Sequence, residues 1–333
     1  MPAVVAVTGA GGFVGRRLAR ALRQAGVEVR AVVHRASAAD GLRRLGCEIR
    51  EADVRDRAAL LHAVQGCRAV IHLVAILRER GALTFEAVNR QGTAHAVEAA
   101  ARAGAERFIH LSALGASPDG PRYLRSKWQG EEAVRAAAIP WVIFRPSILL
   151  GPGGGAARQF ADVVRFGLWY PLAGGRLRPL AALGAAALPV VPVLGHGRYR
   201  SAPVALDDVI PAIVAALQRD DALGGTFEIP GPEVVSYDEL LRRVARVLGL
   251  RRVLWHLPPP AVEVVLRLSA YLPSPPITRD EYEALVVDNV GDAGPAVALF
   301  GLRRRSLDQA LREALAPGEE NTSTGTSSPG RMV

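Results

Sequence analysis

The chain has 333 residues, half of them hydrophobic, and a formal net charge of +9 at pH 7. This length and apolar content exclude a disordered chain and predict a folded protein with a large core. The positive charge does not indicate a nucleic-acid-binding protein, because the basic residues are spread along the chain and accompany no nucleic-acid-binding motif. No charged and apolar leader precedes the first apolar run, so we expect a cytoplasmic protein.

The sequence also argues against a membrane-spanning protein and a metal protein. The longest uncharged apolar stretch, residues 179–197, is interrupted by Pro179, Pro189, Pro192 and several glycines, so it does not predict a transmembrane helix. Contact of this stretch with a membrane surface stays open. Cys47 and Cys67 show no metal-ligand spacing, and we expect both to be structural thiols.

The first predicted elements are a strand, a glycine-rich turn and a helix. Residues 3–7 are apolar, and a GxxGxxG turn and a helical pattern over residues 12–25 follow them. Such a turn directs backbone N–H groups and the positive end of the helix dipole at the pyrophosphate of a dinucleotide. The residues that we expect to bind the cofactor here are Thr8, Gly9, Gly11, Gly12, Phe13, Val14 and Gly15.

The second predicted strand, residues 27–33, leads to a loop that would meet the adenosine ribose. An acidic residue at this place binds the free 2′-hydroxyl of NAD, whereas arginine accommodates the 2′-phosphate of NADP. The loop carries Arg35 and Ser37, and residues 34–37 contain no Asp or Glu. The sequence therefore favours NADP(H) over NAD(H). The alternative is that Arg35 is an ordinary solvated side chain.

Strands continue to alternate with helices as far as residue 111. Helical patterns cover residues 39–45, 57–65 and 83–103, and strand patterns cover residues 48–51, 69–74 and 107–111. This order predicts a doubly wound α/β fold with a parallel sheet and a ligand cleft at the carboxyl ends of the strands. The residues expected to line that cleft are Thr8, Arg35, Asp53, Ala75 and Ser112. His72, alone in an apolar strand, is interpreted as a packed core residue.

A predicted helix that begins near Tyr123 carries a tyrosine and a lysine four residues apart. Tyr123 and Lys127 therefore lie on one face of that helix. A nearby ammonium lowers the pKa of a phenol, so we expect Tyr123 to be a general acid or base and Lys127 to activate it and to bind the nicotinamide ribose. Lys127 is the only lysine among 41 basic residues. Either this position needs an ammonium rather than a guanidinium, or the lysine is there by chance.

Together these motifs resemble the short-chain dehydrogenase/reductase superfamily, in its extended or atypical branch. The resemblance rests on Thr8 with the glycine turn, on Asp53-Val54 and on Tyr123-x-x-x-Lys127. Four further stretches resemble the NAD(P)H-binding accessory subunits of respiratory complex I and their bacterial relatives. These stretches are residues 123–127, 144–147, 203–209 and 276–280.

The resemblance implies a Rossmann-like fold and gives roles to individual residues. It implies that Asp53 and Val54 contact the adenine, that Ala75 lies beside the nicotinamide ribose and that Ser112 is the catalytic serine. The full set of cofactor-binding residues that it implies beyond the glycine turn and the Arg35 loop is Asp53, Val54, Val74, Ala75, Tyr123, Lys127, Arg145 and Pro146. Active members usually carry a second hydroxyl residue after Ser112, where this chain has Ala113.

The sequence changes character after residue 150. We expect residues 1–150 to form the dinucleotide-binding domain and residues 151–317 to form a smaller substrate or docking lobe, whose predicted strands 203–206 and 226–229 are candidates to return to the main sheet. The polar tail, residues 318–333, is expected to be disordered. The apolar, Pro- and Gly-rich start of the lobe suits a lipophilic substrate such as a quinone, or a membrane surface. Ordinary lobe packing explains it equally well.

Helix-start signals also occur in the second lobe. Asp207 and Asp208 are expected to cap a helix over residues 209–218, and Ser236 is expected to form a capping box with Glu239. Residues 262–271 form a predicted amphipathic helix.

Three functions are compatible with this sequence. The first is an NADPH-dependent oxidoreductase acting on a lipophilic carbonyl or quinone-type substrate, which the Tyr123 and Lys127 pair favours. The second is a non-catalytic accessory or assembly subunit that docks on a membrane or a respiratory complex, which Ala113 and the subunit-like stretches favour. The third is a nucleotide-sensing regulator without chemistry.

Overall fold

The computed structural model describes residues 4–173, 177–269, 271, 275 and 277–316. The predicted tail, residues 318–333, lies outside the described residues. So do Ala270 of the predicted amphipathic helix and Pro276 of the subunit-like stretch 276–280.

The described residues form thirteen strands and thirteen α-helices, joined by turns and short 3₁₀ segments. The strands are β1 Val4–Thr8, β2 Glu28–Val33, β3 Glu48–Glu51, β4 Ala69–His72, β5 Arg107–Leu111, β6 Trp141–Pro146, β7 Leu149–Leu150, β8 Val190–Leu194, β9 Arg200–Ser201, β10 Val204–Ala205, β11 Thr226–Ile229, β12 Val235–Ser236 and β13 Val253–Leu257. The helices are α1 Phe13–Gln24, α2 Asp40–Arg44, α3 Arg57–Val64, α4 Gly92–Arg102, α5 Arg122–Arg135, α6 Gly155–Phe166, α7 Arg178–Ala187, α8 Leu206–Ala215, α9 Tyr237–Val247, α10 Pro259–Ser269, α11 Arg279–Val286, α12 Gly294–Phe300 and α13 Leu307–Leu315.

Seven strands form one parallel sheet in the order β11-β6-β5-β4-β1-β2-β3. The reversal of strand order beside β1 creates the crevice in which doubly wound folds bind ligands. The predicted α/β class with a Rossmann-like parallel sheet is therefore confirmed.

Both faces of the sheet are covered by helices, because side chains alternate between the faces along each strand. Val5 and Val7 of β1 pack with Leu18 and Leu22 of α1 in one core cluster. Ala6, between them, belongs to a second cluster that includes residues of α3, α4 and α5. The predicted core histidine, His72, is fully buried in β4.

The two lobe strands that were candidates for the main sheet have different positions. Strand β11 pairs in parallel with β6, so it completes the main sheet. The other candidate, residues 203–206, contributes only β10, which pairs with β7 in a separate two-stranded sheet. That prediction was wrong for the main sheet, since the edge of β6 is already occupied by β11.

The second lobe has its own core. Phe160 and Val164 of α6 pack with Leu240, Leu241 and Val244 of α9. Residues of α13 join the same cluster. Strands β8 and β13 pair in parallel on this lobe.

Asp207 and Asp208 do not cap a helix, contrary to the prediction. Helix α8 begins at Leu206, so both carboxylates already lie in its first turn and neither makes a capping hydrogen bond. Asp207 pairs with Arg17 of α1. Asp208 accepts a hydrogen bond from the backbone N–H of Arg305 and pairs with its guanidinium. Both aspartates thus connect α8 to other elements.

Other sequence interpretations can be compared directly. Ser236 accepts a hydrogen bond from the N–H of Glu239 at the start of α9, which is one half of the predicted capping box; the carboxylate of Glu239 binds Arg243 instead. Cys47 and Cys67 are buried free thiols. In the described part of the chain, no helix combines the length and hydropathy needed to cross a bilayer, and no group of three or more His, Cys, Asp or Glu side chains is placed to hold a metal ion.

The sheet core predicts a clear stability difference between two leucines. Leu22 is fully buried between α1 and the sheet, whereas Leu183 on α7 is 69% exposed. Leu22→Ala should lower the free energy of unfolding by about 2–5 kcal/mol, and the matched Leu183→Ala change should alter it by less than about 0.5 kcal/mol. Urea denaturation followed by circular dichroism measures both. Equal losses in the two variants would contradict the assignment of the core.

Candidate functional site

The glycine turn after β1 has the geometry that close helix packing requires. Gly9 has a φ of +75°, in the left-handed region that glycine adopts without strain. A Cβ on Gly15 would lie 2.3 Å from the carbonyl oxygen of Gly9. A side chain at residue 15 would therefore push α1 away from the turn.

The start of α1 fits the pyrophosphate of a dinucleotide. Its N-cap residue, Gly12, offers no capping side chain, and its first turn contains no acidic residue. The free N–H groups and positive dipole end of α1 therefore meet no carboxylate of their own helix. This is the arrangement expected for a phosphate-binding turn.

Side chains around the turn are held by other parts of the chain. The hydroxyl of Thr8 is 2.7 Å from Nδ1 of His72, and Nε2 of His72 is 3.2 Å from the hydroxyl of Thr93. Burial lowers the pKa of His72 to about 3, so the ring is neutral.

Phe13, at the start of α1, packs on the loop before α6. A Cβ on Gly154 would lie 2.5 Å from the ring of Phe13. The loop that leads into the second lobe thus lies directly against Phe13. Gly11 and Val14, the remaining residues of the predicted turn, are half-buried.

The loop after β2 exposes Arg35 and Ser37. No residue of the described chain forms a hydrogen bond or ion pair with Arg35, so its guanidinium is available to a ligand. Sequence reasoning missed one acidic residue nearby. Glu51, at the end of β3, accepts a hydrogen bond of 2.7 Å from the N–H of Ala36.

Asp53 and Val54 follow β3 at the same sheet edge. The carboxylate of Asp53 accepts hydrogen bonds from the backbone and guanidinium of Arg55 and lies 3.4 Å from His34. The hydrogen bond from Arg55 is the main cause that lowers the pKa of Asp53. Val54 packs closely on Gly92, where an added Cβ would lie 2.8 Å from it.

Val74 and Ala75 follow β4 and are half-buried beside the turn. A Cβ on Gly9 would lie 3.1 Å from Cγ2 of Val74, so this segment borders the glycine turn.

A buried asparagine fixes the segment after Ala75. The side chain of Asn89 accepts from the N–H of Ile76, donates to the carbonyl of Ile76 and donates to the hydroxyl of Ser126 on α5. Asn89 lies in a π-helical turn, Phe85–Gln91, that precedes α4. Sequence reasoning placed Asn89 in a helix without a role. The available signal was a polar residue within an otherwise apolar helical face.

Tyr123 and Lys127 both lie on α5, as the spacing predicted. Tyr123 packs against Phe85, with ring centroids 6.0 Å apart. Lys127 is 1% exposed and donates a hydrogen bond of 2.9 Å to the carbonyl of Leu111, at the end of β5. Burial lowers the pKa of Lys127 to about 8, while Glu131 acts in the opposite direction.

The predicted lowering of the Tyr123 pKa was wrong for the unliganded chain. Burial raises the pKa of Tyr123 to about 12. The loss of solvation of a phenolate against α5 and Phe85 dominates, and the ammonium of Lys127 is bonded to a backbone carbonyl. Tyr123 is therefore a neutral phenol at neutral pH.

Ser112 belongs to a buried charge cluster that the sequence did not reveal. Its hydroxyl donates a hydrogen bond of 2.5 Å to the carboxylate of Glu131, which is fully buried. Arg145 forms two hydrogen bonds to the same carboxylate, and Arg135 forms one. Arg145 is thus part of an ion pair within the protein.

Pro146, which follows Arg145, is buried, and its carbonyl accepts a hydrogen bond from the N–H of Leu114. Cofactor contacts of Arg145 and Pro146 stay predictions.

A helix of the second lobe closes one side of the cleft. Arg78, three residues after Ala75, pairs with Glu281 of α11. Arg122, next to Tyr123, pairs with Glu79 and with Asp280. Thr278 and Glu281 form a reciprocal capping box that starts α11. The subunit-like stretch around Asp280 therefore lies against the start of α5.

These features agree with the proteins that the chain is similar to. A family model described as NAD(P)H-binding matches residues 9–162. The chain is 36% identical over 262 residues to a ceramide reductase of Caulobacter vibrioides, which covers 78% of this chain and 75% of the relative. It is 29% identical over 295 residues to subunit 9 of the mitochondrial NADH dehydrogenase (ubiquinone) 1 alpha subcomplex of Mus musculus, which covers 86% of this chain and 72% of the relative.

A solved structure shows the same fold. A short-chain dehydrogenase/reductase superfamily protein from Agrobacterium tumefaciens, with bound NAD, superposes with a TM-score of 0.67 at 23% identity, over 93% of this chain and 95% of that chain. The glycine turn, the Tyr123 and Lys127 pair and these relatives lead to one assignment. The chain is an NAD(P)H-binding, oxidoreductase-type member of the short-chain dehydrogenase/reductase superfamily and belongs to its atypical branch.

Proposed function

We propose that the chain is an NADPH-dependent reductase of a lipophilic carbonyl or quinone-type substrate. The observation that carries this proposal is that α5 carries Tyr123 and, four residues later, the buried Lys127, whose ammonium is bonded at the end of β5. In the proposal, residues 1–150 bind the dinucleotide, and the later residues that lie outside the main sheet and its core form the lobe that holds the substrate.

Tyr123 is suited to donate a proton, because burial raises the pKa of its phenol. A phenol that keeps its proton at neutral pH donates it to a carbonyl oxygen, whereas oxidation of an alcohol needs a phenolate base. NADPH, when bound, supplies the hydride. Tyr123 supplies the proton at its hydroxyl oxygen.

The ammonium of Lys127 and the hydroxyl of Ser112, which both lie at the end of β5 beside Leu111, assist this proton transfer in the proposal. The ammonium of Lys127 is held at the carbonyl of Leu111, and in the proposal it binds the nicotinamide ribose from there. In the unliganded chain the hydroxyl of Ser112 donates to Glu131, and in the proposal it turns this hydrogen toward the substrate carbonyl, which can only accept. Ser112 orients the substrate oxygen in this proposal.

We favour NADPH over NADH on the exposure of Arg35. A 2′-phosphate next to a free guanidinium gains a charge-assisted hydrogen bond. Ser37, also exposed, adds a hydroxyl donor on the same loop. Glu51 is bonded to the N–H of Ala36 and so acts on this loop rather than on a ribose.

The lipophilic substrate class rests on the apolar second lobe and on a relative that is named for the reduction of ceramide, a lipid. A peripheral position on a membrane fits such a substrate.

A second candidate is a non-catalytic, NADPH-binding accessory subunit of a respiratory membrane assembly. The specific observation in its favour is that the Ser112 hydroxyl donates its hydrogen bond to Glu131 and that the next residue, Ala113, has no hydroxyl. The mouse relative is named as a subunit of NADH dehydrogenase.

An activity assay separates these two candidates. The purified chain should oxidise NADPH in the presence of some member of a panel of quinones and long-chain ketones. Tyr123→Phe should lower the rate by about 10²–10⁴-fold, because general acid catalysis contributes this much, and should leave NADPH binding nearly intact. Tyr271→Phe, which removes an 88% exposed phenol, is the matched control. An active Tyr123→Phe protein would remove Tyr123 from the mechanism.

Cofactor choice is tested by fluorescence titration with NADPH and NADH. We expect tighter binding of NADPH, and Arg35→Ala should weaken it by about 10- to 100-fold, since a hydrogen bond to a charged group contributes about 1.5–3 kcal/mol. NADH binding should stay unchanged in that variant. Arg304→Ala removes the same charge from an exposed site elsewhere and should affect neither titration. Equal losses for both cofactors would contradict recognition of a 2′-phosphate by Arg35.

Because Lys127 is the only lysine, its ionisation can be followed directly. Protein labelled with ¹³C at the lysine ε-carbon should give one resonance that titrates with a midpoint near pH 8 rather than at the ordinary value of 10.5. The reason is the loss of solvation of a buried ammonium. A titration at the ordinary value would show an exposed amine and would exclude the buried site described above.

A further inference from the structure

The second lobe exposes large apolar side chains on α7, β13 and α10 and at both ends of α7. We call them the apolar surface; they are Leu177, Leu180, Leu183, Leu188, Val253, Trp255, Val264 and Leu268. Leu180 is 61% exposed, Leu183 is 69% exposed and Trp255 is 52% exposed. Clusters of exposed apolar residues of this kind mark sites of interaction with a protein or a membrane.

Each element places these residues on one side. In α7, Leu180 and Leu183 are exposed, whereas Ala181 and Ala185 are buried. Residues three apart lie on the same helix face, so α7 has an apolar outer face as well as a buried one. In α10, Val264 and Leu268, four apart, are exposed.

Strand β13 also has an apolar exposed side, and it begins beside α7. Val253 and Trp255 alternate along β13 and are both exposed. Arg252, just before them, donates hydrogen bonds to the carbonyls of Val164 and Ala185, at the ends of α6 and α7. The start of β13 is therefore fixed beside the end of α7, and α10 follows β13 in the chain.

The segments that carry this surface are strongly basic. Residues 151–200 contain Arg158, Arg165, Arg176, Arg178, Arg198 and Arg200. Residues 251–271 contain Arg251, Arg252 and Arg267. The acidic residues of both segments together are Asp162 and Glu263, and Glu263 is paired with Arg267 and Arg279.

We propose that the apolar surface rests on an anionic lipid bilayer, with the leucines of α7 and Trp255 entering the headgroup boundary. In this proposal the exposed arginines of the same segments that form no ion pair with a described residue face lipid phosphates; they are Arg158, Arg178, Arg198 and Arg251. This inference rests on the proposed lipophilic substrate, and it identifies the protein surface that would contact the membrane from which this substrate comes. Short helices with an apolar face and basic flanks bind at this depth without crossing the bilayer, and tryptophan favours the interface. A protein partner of such a basic face is the competing outcome.

The same surface is connected to the cleft by a short 3₁₀ segment, Gly167–Leu172. The ring of Trp169 lies against Gly184 of α7, where an added Cβ would be 2.5 Å away. Burial raises the pKa of the next residue, Tyr170, and the charges of Asp162, Arg78 and Glu281 act on it more weakly. Arg78 lies three residues after Ala75, which is predicted to line the cleft. The 3₁₀ segment therefore lies between the apolar surface and the predicted cleft.

The test is co-sedimentation of the full chain with vesicles of phosphatidylcholine, with and without phosphatidylglycerol. We expect binding to the anionic vesicles, weaker binding to the neutral ones and partial release at high salt, since surface charges are screened within a Debye length. The double variant Leu180→Glu with Leu183→Glu should bind at least about tenfold more weakly, because it removes buried apolar area and adds negative charge. Val234→Glu, at an exposed position outside this surface, is the control and should bind as the wild type does.

Two further measurements separate the outcomes. Sedimentation equilibrium without lipid shows whether the surface joins two copies of the chain; a dimer that the double variant abolishes would overturn the membrane assignment. Unchanged vesicle binding by the double variant, or no binding by the wild type, would also overturn it. NADPH oxidation with a water-soluble ketone is measured in parallel. Activity without vesicle binding would leave the reductase proposal standing alone, and vesicle binding without activity would leave the docking proposal standing alone.

Discussion

The arrangement of the site depends on one fully buried carboxylate, that of Glu131. Removing a carboxylate from water costs several kcal/mol unless charged and hydrogen-bonding partners replace the solvent. Here Arg145 binds it through two hydrogen bonds, Arg135 adds a third and Ser112 a fourth. These partners come from β6, from α5 itself and from the end of β5, so the need to satisfy one charge fixes α5 against the sheet.

Helix α5 is held from its other side by a neutral network. The side-chain amide of Asn89 forms hydrogen bonds with the N–H and the carbonyl of Ile76 and with the hydroxyl of Ser126. The segment after β4 and the helix that carries Tyr123 are therefore positioned by the same residue. The ion pairs of Arg78 with Glu281 and of Arg122 with Asp280 then bring α11 of the second lobe to this edge. Cleft geometry and lobe position are consequences of a few polar contacts between distant segments.

The almost exclusive use of arginine fits these structural duties. A planar guanidinium binds a carboxylate or several carbonyls at once, as Arg145 does with Glu131 and Arg252 does with carbonyls at the ends of α6 and α7. Lys127 has a different environment, with one carbonyl partner and almost no exposure. An ammonium is compact, and its pKa moves to about 8 on burial, whereas a guanidinium stays charged. The lone lysine therefore occupies a site where a smaller cation with an adjustable proton has a physical advantage.

The sequence by itself determined the fold class, the glycine turn and the shared face of Tyr123 and Lys127. Each is a local property: alternation of strand and helix patterns, a glycine spacing and a four-residue helical separation. The partners of Ser112, the role of Asn89, the contact of α11 with Arg78 and the pKa of Tyr123 were decided only by tertiary structure. Their causes are burial and charge from residues far along the chain, as with Arg78 and Glu281, which are separated by 203 positions. Asp207 and Asp208 show the same limit. Aspartate is a common N-cap residue, so the sequence suggested a helix cap, but both carboxylates form ion pairs with arginines of other segments.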